Sequence, residues 1–278
     1  MQKHESRPTD LPAEVKSKAP VRDRYLIEAV DRALLLLELL GDNPGLGVTE
    51  IAGRMKVSKA LAFRLLHTLE LRDYVIRDSV NRTNSLGYRL LHLADRVDQT
   101  NVIVSATKEF MDELARLSRE DVNLFVRVGL SSVGIATRPS THQVRMFAQI
   151  GNRGSLHVGG ASTVLLAYAP PEVQEVVLAS EIKMLTPLTL VDPVRLRQRL
   201  EKVRAEGIHV SRGDVDTSGF SIAAPVWGRG NVIVAAISLA GTINRLTPEV
   251  EAHYRDLLLE YAGHMSRALD GEDPARRM

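Results

Sequence analysis

Hydrophobic residues in the first part of the chain recur at spacings of three and four, which predicts short amphipathic helices. The first predicted helix covers residues 25–40 and stops at Gly41. Its apolar face consists of Ile27, Val30, Leu34, Leu37 and Leu40. A second, shorter helix is predicted over 48–55, because Gly47 can serve as its N-cap and Glu50 stands where a glutamate supports that cap.

The third predicted helix, 58–70, follows a tight turn and has two different faces. Ser58 is a favourable N-cap, and Asp73 after the helix is a residue type that tolerates a left-handed backbone. One face carries an apolar stripe that predicts packing on a core: Ala62, Leu65, Leu66 and Leu69. The other face is exposed and partly basic, with Lys59, Phe63, Arg64 and His67. Such a helix is expected to pack on the core with one face and to contact a partner with the other.

Two β-prone runs, YVIRD at 74–78 and LGYRL at 86–90, flank a polar tip that contains Arg82, and they predict a β-hairpin. Three helices, the last two joined by a tight turn, followed by a hairpin are the elements of a winged helix-turn-helix. In a helix-turn-helix the second helix of the motif lies in the DNA major groove. The sequence therefore predicts an N-terminal DNA-binding domain whose hairpin, the wing, approaches the DNA backbone or minor groove.

The rest of the chain has the pattern of an α+β domain. A mostly helical connector is predicted over 90–117, with a bend at 99–101. Strands are predicted at 122–129, 132–138, 143–151, 208–211, 222–227 and 232–240, and helices at 160–169, 171–180, 192–207 and 247–269. Pairs of strands without a helix between them favour an antiparallel sheet flanked by helices.

Composition narrows the classes of function. The 278 residues contain no cysteine, which excludes disulfides, thiolate zinc sites and cysteine nucleophiles and is consistent with a cytoplasmic location. No signal peptide is visible, and the longest aliphatic run, ALLLL at 33–37, is far too short for a membrane span. We therefore expect a cytoplasmic protein with no membrane partner.

Charge is unevenly distributed along the chain. The net charge is only +2, yet residues 54–89 contain eight basic residues and three acidic ones. A local excess of positive charge is typical of contact with DNA phosphates. An ordinary solvated basic surface is the alternative.

Five fragments in the right order make the chain resemble the IclR family of bacterial transcription regulators over about residues 24–269. AVDRALLLLELL resembles the opening helix of that family, and VTEIAGRMKVSKALAFRLLHTLELRDYVIRD resembles its helix-turn-helix and first wing strand. Its ligand-sensing domain is matched by VRMFAQIGNRGSLHVGGASTVLLAYAP, LTPLTLVDPVRLRQRLEKVRAEGIHVSRGD and SGFSIAAPVWGRGNVIVAAISLAGTINRLT.

The resemblance implies an α+β chain with an N-terminal winged helix-turn-helix and a C-terminal GAF-like effector-binding domain. It also implies binding to a near-palindromic double-stranded DNA operator as a homodimer or homotetramer, under the control of a small organic acid. The expected segments are a disordered tail at 1–21, the DNA-binding domain at 22–89, a helical linker at 90–104, the effector-binding domain at 105–270 and a tail at 271–278.

The predicted DNA contacts are Ser58, Lys59, Leu61, Phe63, Arg64, His67 and Arg82. Arg64 is the candidate for reading guanine, because a guanidinium can bind O6 and N7 together. A phosphate contact, or an ion pair with Glu70 or Asp78, is the alternative for Arg64. Lys59 is expected at a phosphate. Leu61 and Phe63 stand where relatives commonly have polar residues, so we do not expect the operator of relatives to apply.

The resemblance places the effector site at Met146, Gly160, Ala161, Phe220, Ile222, Ser238 and Ala240. Independently, the small residues of HVGGAST begin a helix whose free N–H groups favour a carboxylate. The alternative is that Gly159 and Gly160 only permit a tight turn into a packed helix. Ile222 and Ala240 stand where small-acid sensors of the family often have a cysteine and a serine. We therefore expect an apolar site for a larger acid, for example an aromatic one, and Asp214 and Asp216 in a solvated loop.

The sequence shows no motif that supports catalysis, and its eight histidines are scattered, so neither a catalytic residue, a metal nor a cofactor is predicted. We expect a ligand-responsive, sequence-specific DNA-binding transcription regulator. The alternatives are an enzyme acting on a small acid with a vestigial helix-turn-helix, and a DNA-binding protein that does not respond to a ligand.

Overall fold

The computed structural model describes residues 25–146 and 148–271. The chain divides between Asp95 and Arg96 into two compact units. The predicted tails fall outside the described residues except for Gly271, whose N–H donates to the Ser266 carbonyl. The predicted linker, 90–104, spans the division between the units.

The described part of the N-terminal unit contains three complete helices and a three-stranded antiparallel sheet, and a fourth helix begins at Arg89. Its elements are α1 (Glu28–Asp42), β1 (Leu46–Gly47), α2 (Val48–Arg54), α3 (Lys59–Glu70), β2 (Val75–Asp78) and β3 (Thr83–Leu86), with strand order β1-β3-β2. The predicted caps are present: Ser58 accepts the N–H of Leu61, and Glu50 accepts that of Gly47. The core of this unit includes Leu36, Leu40, Ile51, Ala62, Leu65, Leu66 and Val75.

The second wing strand lies earlier than predicted. The prediction of a strand at 86–90 is wrong, because β3 ends at Leu86 and Arg89 begins the next helix. Gly87 separates the two, since its N–H donates to the Tyr74 carbonyl and the Asp73 backbone leaves no room for a Cβ atom there. Arg82 lies on the turn between the strands, as predicted, with φ of +56°.

Two helices meet at the predicted bend. They are α4 (Arg89–Thr100) and α5 (Val102–Ser118), and Asn101 caps α5 by accepting the N–H groups of Ile103 and Val104. The later elements are β4 (Asp121–Val128), β5 (Ser131–Arg138), β6 (Arg153–Ser155), α6 (Gly160–Ala167), α7 (Pro171–Ala179), α8 (Pro193–Glu206), β7 (His209–Arg212), β8 (Gly219–Gly228), β9 (Val232–Thr242) and α9 (Pro248–Ala268). None of the helices in the described ranges is long and apolar enough to cross a membrane.

The C-terminal unit is a six-stranded antiparallel sheet with helices on both faces, which is the expected α+β architecture. The strand order is β6-β5-β4-β9-β8-β7. Helices α5 and α9 pack on one face in a core that contains Leu124, Ile222 and Leu258. Helices α6, α7 and α8 pack on the other, together with Ala223 and Ala236. The two faces therefore bury separate hydrophobic layers.

The prediction of a strand at 143–151 is wrong. Among the described residues of this segment, Ile150 makes an isolated bridge with Gly134, and the rest is irregular. Side chains of β4 take its backbone donors, because Asp121 accepts the N–H of Met146 and Asn123 accepts that of Ala148. The segment is thus held mainly by side chains of β4, and its described residues pair with β5 only at Ile150 and Gly151.

Candidate functional sites

The exposed face of α3 presents the residues predicted to contact DNA. Lys59, Phe63, Arg64 and His67 are all exposed, and they lie on the side opposite the buried stripe of Ala62, Leu65 and Leu66. Arg82 is also exposed, on the turn of the wing. The geometry of this unit therefore leaves one basic face of α3 free for a partner.

Ser58 and Leu61 are placed differently from the other predicted contacts. The Ser58 hydroxyl is occupied in capping α3, where it accepts the N–H of Leu61 at 3.2 Å. The Leu61 side chain is partly buried and packs against the core of the N-terminal unit. Both residues therefore support the start of α3 before any partner binds.

The sequence reasoning did not identify Arg77, which lies on wing strand β2. Its guanidinium carbon is 5.7 Å from the centroid of the Phe63 ring. The ring of His67 is parallel to that of Phe63, with 6.3 Å between the centroids. The contact could have been predicted from strand alternation, because residues two apart in a strand lie on the same face. Val75 is buried in the core that includes α3, so Arg77 is expected on the side of α3 as well.

A cavity of about 430 Å³ lies in the C-terminal unit on the α6 face of the sheet. It is bordered by strands β4, β8 and β9, by the start of α6, by the segment 146–155 and by the loop that follows β7. Six of the predicted effector residues border it: Met146, Gly160, Ala161, Phe220, Ser238 and Ala240. The structure thus brings together residues that are up to 94 positions apart in the sequence.

Ile222 does not border the cavity. Its side chain is 0% exposed and belongs to the core between the sheet and helices α5 and α9. Phe220 lies on the same side of β8, and its ring stacks on Tyr254 of α9 with 6.3 Å between centroids. Phe220 therefore borders the cavity along the strand, while its ring packs on the opposite face of the sheet.

Ser221 is the residue of β8 that faces the cavity, and the sequence reasoning missed it. In β9, Ala240 pairs directly with Ser221 and Ser238 pairs with Ala223. Directly paired residues of antiparallel strands share a face, so Ser221 and not Ile222 accompanies Ala240. The expected apolar character of the site is thereby reduced.

Other hydroxyl and amide groups also line the cavity. Ser132 and Ser162 are buried, and their Oγ atoms are 2.7 Å apart. Asn123 is buried on β4, where its Oδ1 accepts the Thr137 hydroxyl at 2.8 Å and the N–H of Ala148 at 3.3 Å. Apolar parts of the lining come from Phe125, Met146, Val158, Leu185 and Val215. The cavity therefore combines an apolar wall with several small polar groups.

Asp214 is buried at the edge of the cavity, so the expectation of a solvated loop is wrong for this residue. It is 4% exposed, and its carboxylate accepts the N–H of Gly159 at 3.2 Å and the hydroxyl of Ser211. Arg199 of α8 lies 3.6 Å from the carboxylate; burial lowers the pKa of Arg199, and Asp214 opposes that effect. Asp216 is exposed, as expected, and hydrogen bonds from Ser218 lower its pKa.

Gly160 begins α6 in close contact with strand β8. A Cβ atom on Gly160 would lie 2.6 Å from Ser221 Oγ and 2.9 Å from the Ser221 carbonyl oxygen. Gly159, the N-cap, has φ of +76°, a conformation that favours glycine. Tight packing therefore explains Gly160 and backbone conformation explains Gly159. The first N–H groups of α6, which have no acceptor within the helix, lie at the cavity.

Charge at the cavity is mixed. Arg153 on the exposed strand β6 borders it, as do Asp214 and Asp216. Within the described residues no group of three or more histidine, aspartate or glutamate side chains could hold a metal ion.

Known proteins share both units. The family profile described as the IclR helix-turn-helix domain matches residues 29–79, and the profile described as the C-terminal part of the bacterial transcriptional regulator IclR matches 95–267. The HTH-type transcriptional repressor AllR of Klebsiella pneumoniae is 31% identical over 244 residues, which are 87% of this chain and 90% of AllR.

Solved structures agree with this assignment. An IclR transcriptional regulator from Alicyclobacillus acidocaldarius is 25% identical with a TM-score of 0.78, over 88% of this chain and 99% of that protein. An IclR homologue from Microbacterium hydrocarbonoxydans, crystallised with 4-hydroxybenzoate, is 23% identical with a TM-score of 0.77, over 87% of this chain and 99% of the homologue. The chain therefore belongs to the IclR family of bacterial transcriptional regulators, and it is a DNA-binding transcription regulator.

Proposed function

We propose that the chain is a transcriptional repressor that binds a near-palindromic operator as a homodimer or homotetramer, and that a small organic acid in the cavity changes its operator affinity. The main support for this proposal is that two features occur in one chain. One unit exposes a basic face of α3, and the other unit contains a cavity of ligand size. The repressor names of the AllR relatives support the direction of the regulation.

Arg64 is the proposed base-reading residue, since its exposed guanidinium is free to bind a guanine edge. Lys59, near the start of α3, contacts a phosphate, and His67 lies at the edge of the groove. Arg82 approaches the DNA from the wing. Ser58 and Leu61 contribute by fixing the start of α3, because their side chains are engaged within the protein.

Helix α1 supports assembly with a second copy of the chain. Leu36 and Leu40 bury one side of it, while Ile27, Val30 and Leu34 remain exposed. A helix that is apolar on both sides is normally covered. An operator with two-fold symmetry also requires two recognition helices, about 34–36 Å apart if they enter successive major grooves. We therefore assign the exposed side of α1 to contact with the second copy.

The proposed effector is an acid with an apolar body, and aromatic acids are the first candidates. Its carboxylate would approach the free N–H groups at the start of α6, where the helix dipole favours negative charge. Its body would lie against Phe125, Met146 and Leu185. The homologue that binds 4-hydroxybenzoate has the same fold, which is compatible with an aromatic acid. We propose that the acid is bound and released unchanged by a regulator that acts on DNA in the cytoplasm.

DNA recognition is tested with a duplex enriched by the wild-type protein from a random library. Arg64→Ala should weaken its binding by roughly 1–3 kcal/mol and relax the preference at one position per half-site. Lys59→Ala should weaken binding to all sequences and reduce the salt dependence. If repeated selection with Arg64→Ala returns the wild-type base preference, Arg64 does not read a base.

Effector recognition is tested by calorimetry with a panel of aromatic and aliphatic acids, including 4-hydroxybenzoate. Ala240→Val adds two methyl groups at the cavity wall and should lower affinity for the best ligand about tenfold or more. Ala240→Ser is the matched control, because it adds one small group. Mass spectrometry of the ligand after incubation checks that it is unchanged. A best ligand that is neutral or cationic, or equal binding by Ala240→Val, would contradict the proposed site.

A further inference from the structure

Phe63 places an aromatic ring in the middle of the exposed face of α3. Phe63 is 46% exposed, so burial in the core of the unit does not explain an aromatic residue there. It contacts two neighbours instead. His67 lies parallel to it at the next helical turn, and the Arg77 guanidinium lies over it at 5.7 Å from the ring centroid.

Strand alternation in the wing explains why Arg77 lies over the Phe63 ring. Val75 of β2 is buried in the core against α3, and Arg77 lies two residues further on the same side. The neighbouring acid, Asp78, accepts hydrogen bonds from the backbone and side chain of Asn81 and from the N–H of Val80, and these bonds lower its pKa. Asp78 thus stabilises the turn at the tip of the wing, while the Arg77 side chain extends toward α3.

A guanidinium over an aromatic face is attracted by the ring and stays charged. The contact also limits the rotamers of a long side chain on an exposed strand. Ordering such a side chain opposes binding when it has to happen at the moment of association. Arg77 is therefore a further cation held at the exposed face of α3, which also carries Lys59 and Arg64, and its position is set before DNA binds.

We infer that Arg77 contacts a DNA phosphate beside the groove entered by α3, and that Phe63 is the positioning residue that holds it. The inference rests on the proposed orientation of α3 toward DNA. It gives Phe63 a role that does not require a thymine methyl group. It also couples the wing to the recognition helix through one side-chain contact.

The test compares full-length Phe63→Ala, Arg77→Ala and the double variant by fluorescence anisotropy on the wild-type-selected duplex over a range of salt concentrations. Arg77→Ala should lower the slope of log affinity against log salt by about 1, as expected for one lost phosphate contact. Phe63→Ala should weaken binding severalfold, and the double variant should bind no more weakly than Arg77→Ala. Phe63→Tyr should restore wild-type binding, because it retains the ring.

Arg82→Ala is the matched control, since Arg82 lies on the same wing and its loss should add to that of Phe63→Ala. Circular dichroism melts confirm that each variant is folded. Wild-type affinity and salt slope in Arg77→Ala, or fully additive losses for Phe63 and Arg77, would overturn the inference. A loss that depends on replacing thymine by uracil in the duplex would instead assign Phe63 to the base. If Lys59→Ala and Arg64→Ala are also without effect, the orientation of α3 itself is wrong.

Discussion

Replacement of Gly160 by alanine tests how α6 is seated on the sheet. The new Cβ would lie 2.6 Å from Ser221 Oγ and 2.9 Å from the Ser221 carbonyl oxygen. The hydroxyl can rotate away, but the carbonyl cannot, because Ser221 is paired on both sides, with Ser211 of β7 and with Ala240 of β9. The first turn of α6 therefore has to move away from β8.

Overpacking of this kind costs about 1–3 kcal/mol. For a unit of this size, each kcal/mol corresponds to a shift of the melting temperature of about 2–4 °C. Gly160→Ala should therefore lower the melting temperature of the C-terminal unit by roughly 2–12 °C. Gly53→Ala in α2 is the matched control: a Cβ there meets nothing within 4 Å, so the same substitution should stabilise the N-terminal unit by roughly 0.5–1 kcal/mol.

The fluorescence of Trp227 is a suitable signal, since it is the single tryptophan and lies in β8 of the C-terminal unit. Thermal and urea unfolding of the whole chain are followed at this residue for Gly160→Ala, and circular dichroism follows Gly53→Ala. If Gly160→Ala unfolds at the same temperature and urea concentration as the wild type, the close packing of α6 on β8 is refuted. In that case only ligand approach could explain why a glycine stands there.

Three other predictions concern pH, a buried ion pair and assembly. Burial, and to a smaller degree Arg199, lowers the pKa of His209 from 6.5 to about 4. As the pH falls, His209 is therefore protonated in the unfolded chain before it is protonated in the folded one. Stability should fall by up to about 3 kcal/mol as the pH drops from 6.5 to 4, and urea titrations of His209→Gln should show a smaller decrease. Arg245→Met leaves the carboxylate of Glu120, which is 1% exposed, without its partner, and should cost about 3–5 kcal/mol by urea unfolding, whereas a loss below 1 kcal/mol would contradict this. Leu34→Glu should reduce the assembled fraction in sedimentation experiments, and unchanged assembly would exclude α1 from the interface.

Local signals in the sequence predicted the positions of the helices well, although the apolar face predicted for the first helix was wrong at Ile27, Val30 and Leu34, which are exposed. Caps depend on residues that are close together, as with Ser58 and the N–H of Leu61, or Asn101 between α4 and α5. Apolar spacing likewise identified the buried stripe of α3, and the resemblance of ordered fragments identified the family. These features need no knowledge of the rest of the fold.

The site was less predictable because it depends on contacts between distant residues. A shift of one residue in β8 exchanged Ile222 for Ser221, since neighbouring residues of a strand point to opposite faces. The segment 143–151 has an apolar, strand-like composition, but Asp121 and Asn123 bind its backbone from another part of the chain. The burial of Asp214 was unpredictable for the same reason, because its carboxylate accepts the N–H of Gly159, which lies 55 residues earlier.

The polar groups of the cavity limit what the effector can offer. Oδ1 of Asn123 already accepts the Thr137 hydroxyl and the N–H of Ala148, and the hydroxyls of Ser132 and Ser162 bind each other. A ligand gains little from groups that already have partners. The first N–H groups of α6 have no acceptor within their helix, so a ligand or water can accept from them. A cationic ligand would leave these donors unpaired, whereas a carboxylate satisfies them. We therefore expect the start of α6 to favour an anion, although the buried carboxylate of Asp214 also borders the cavity.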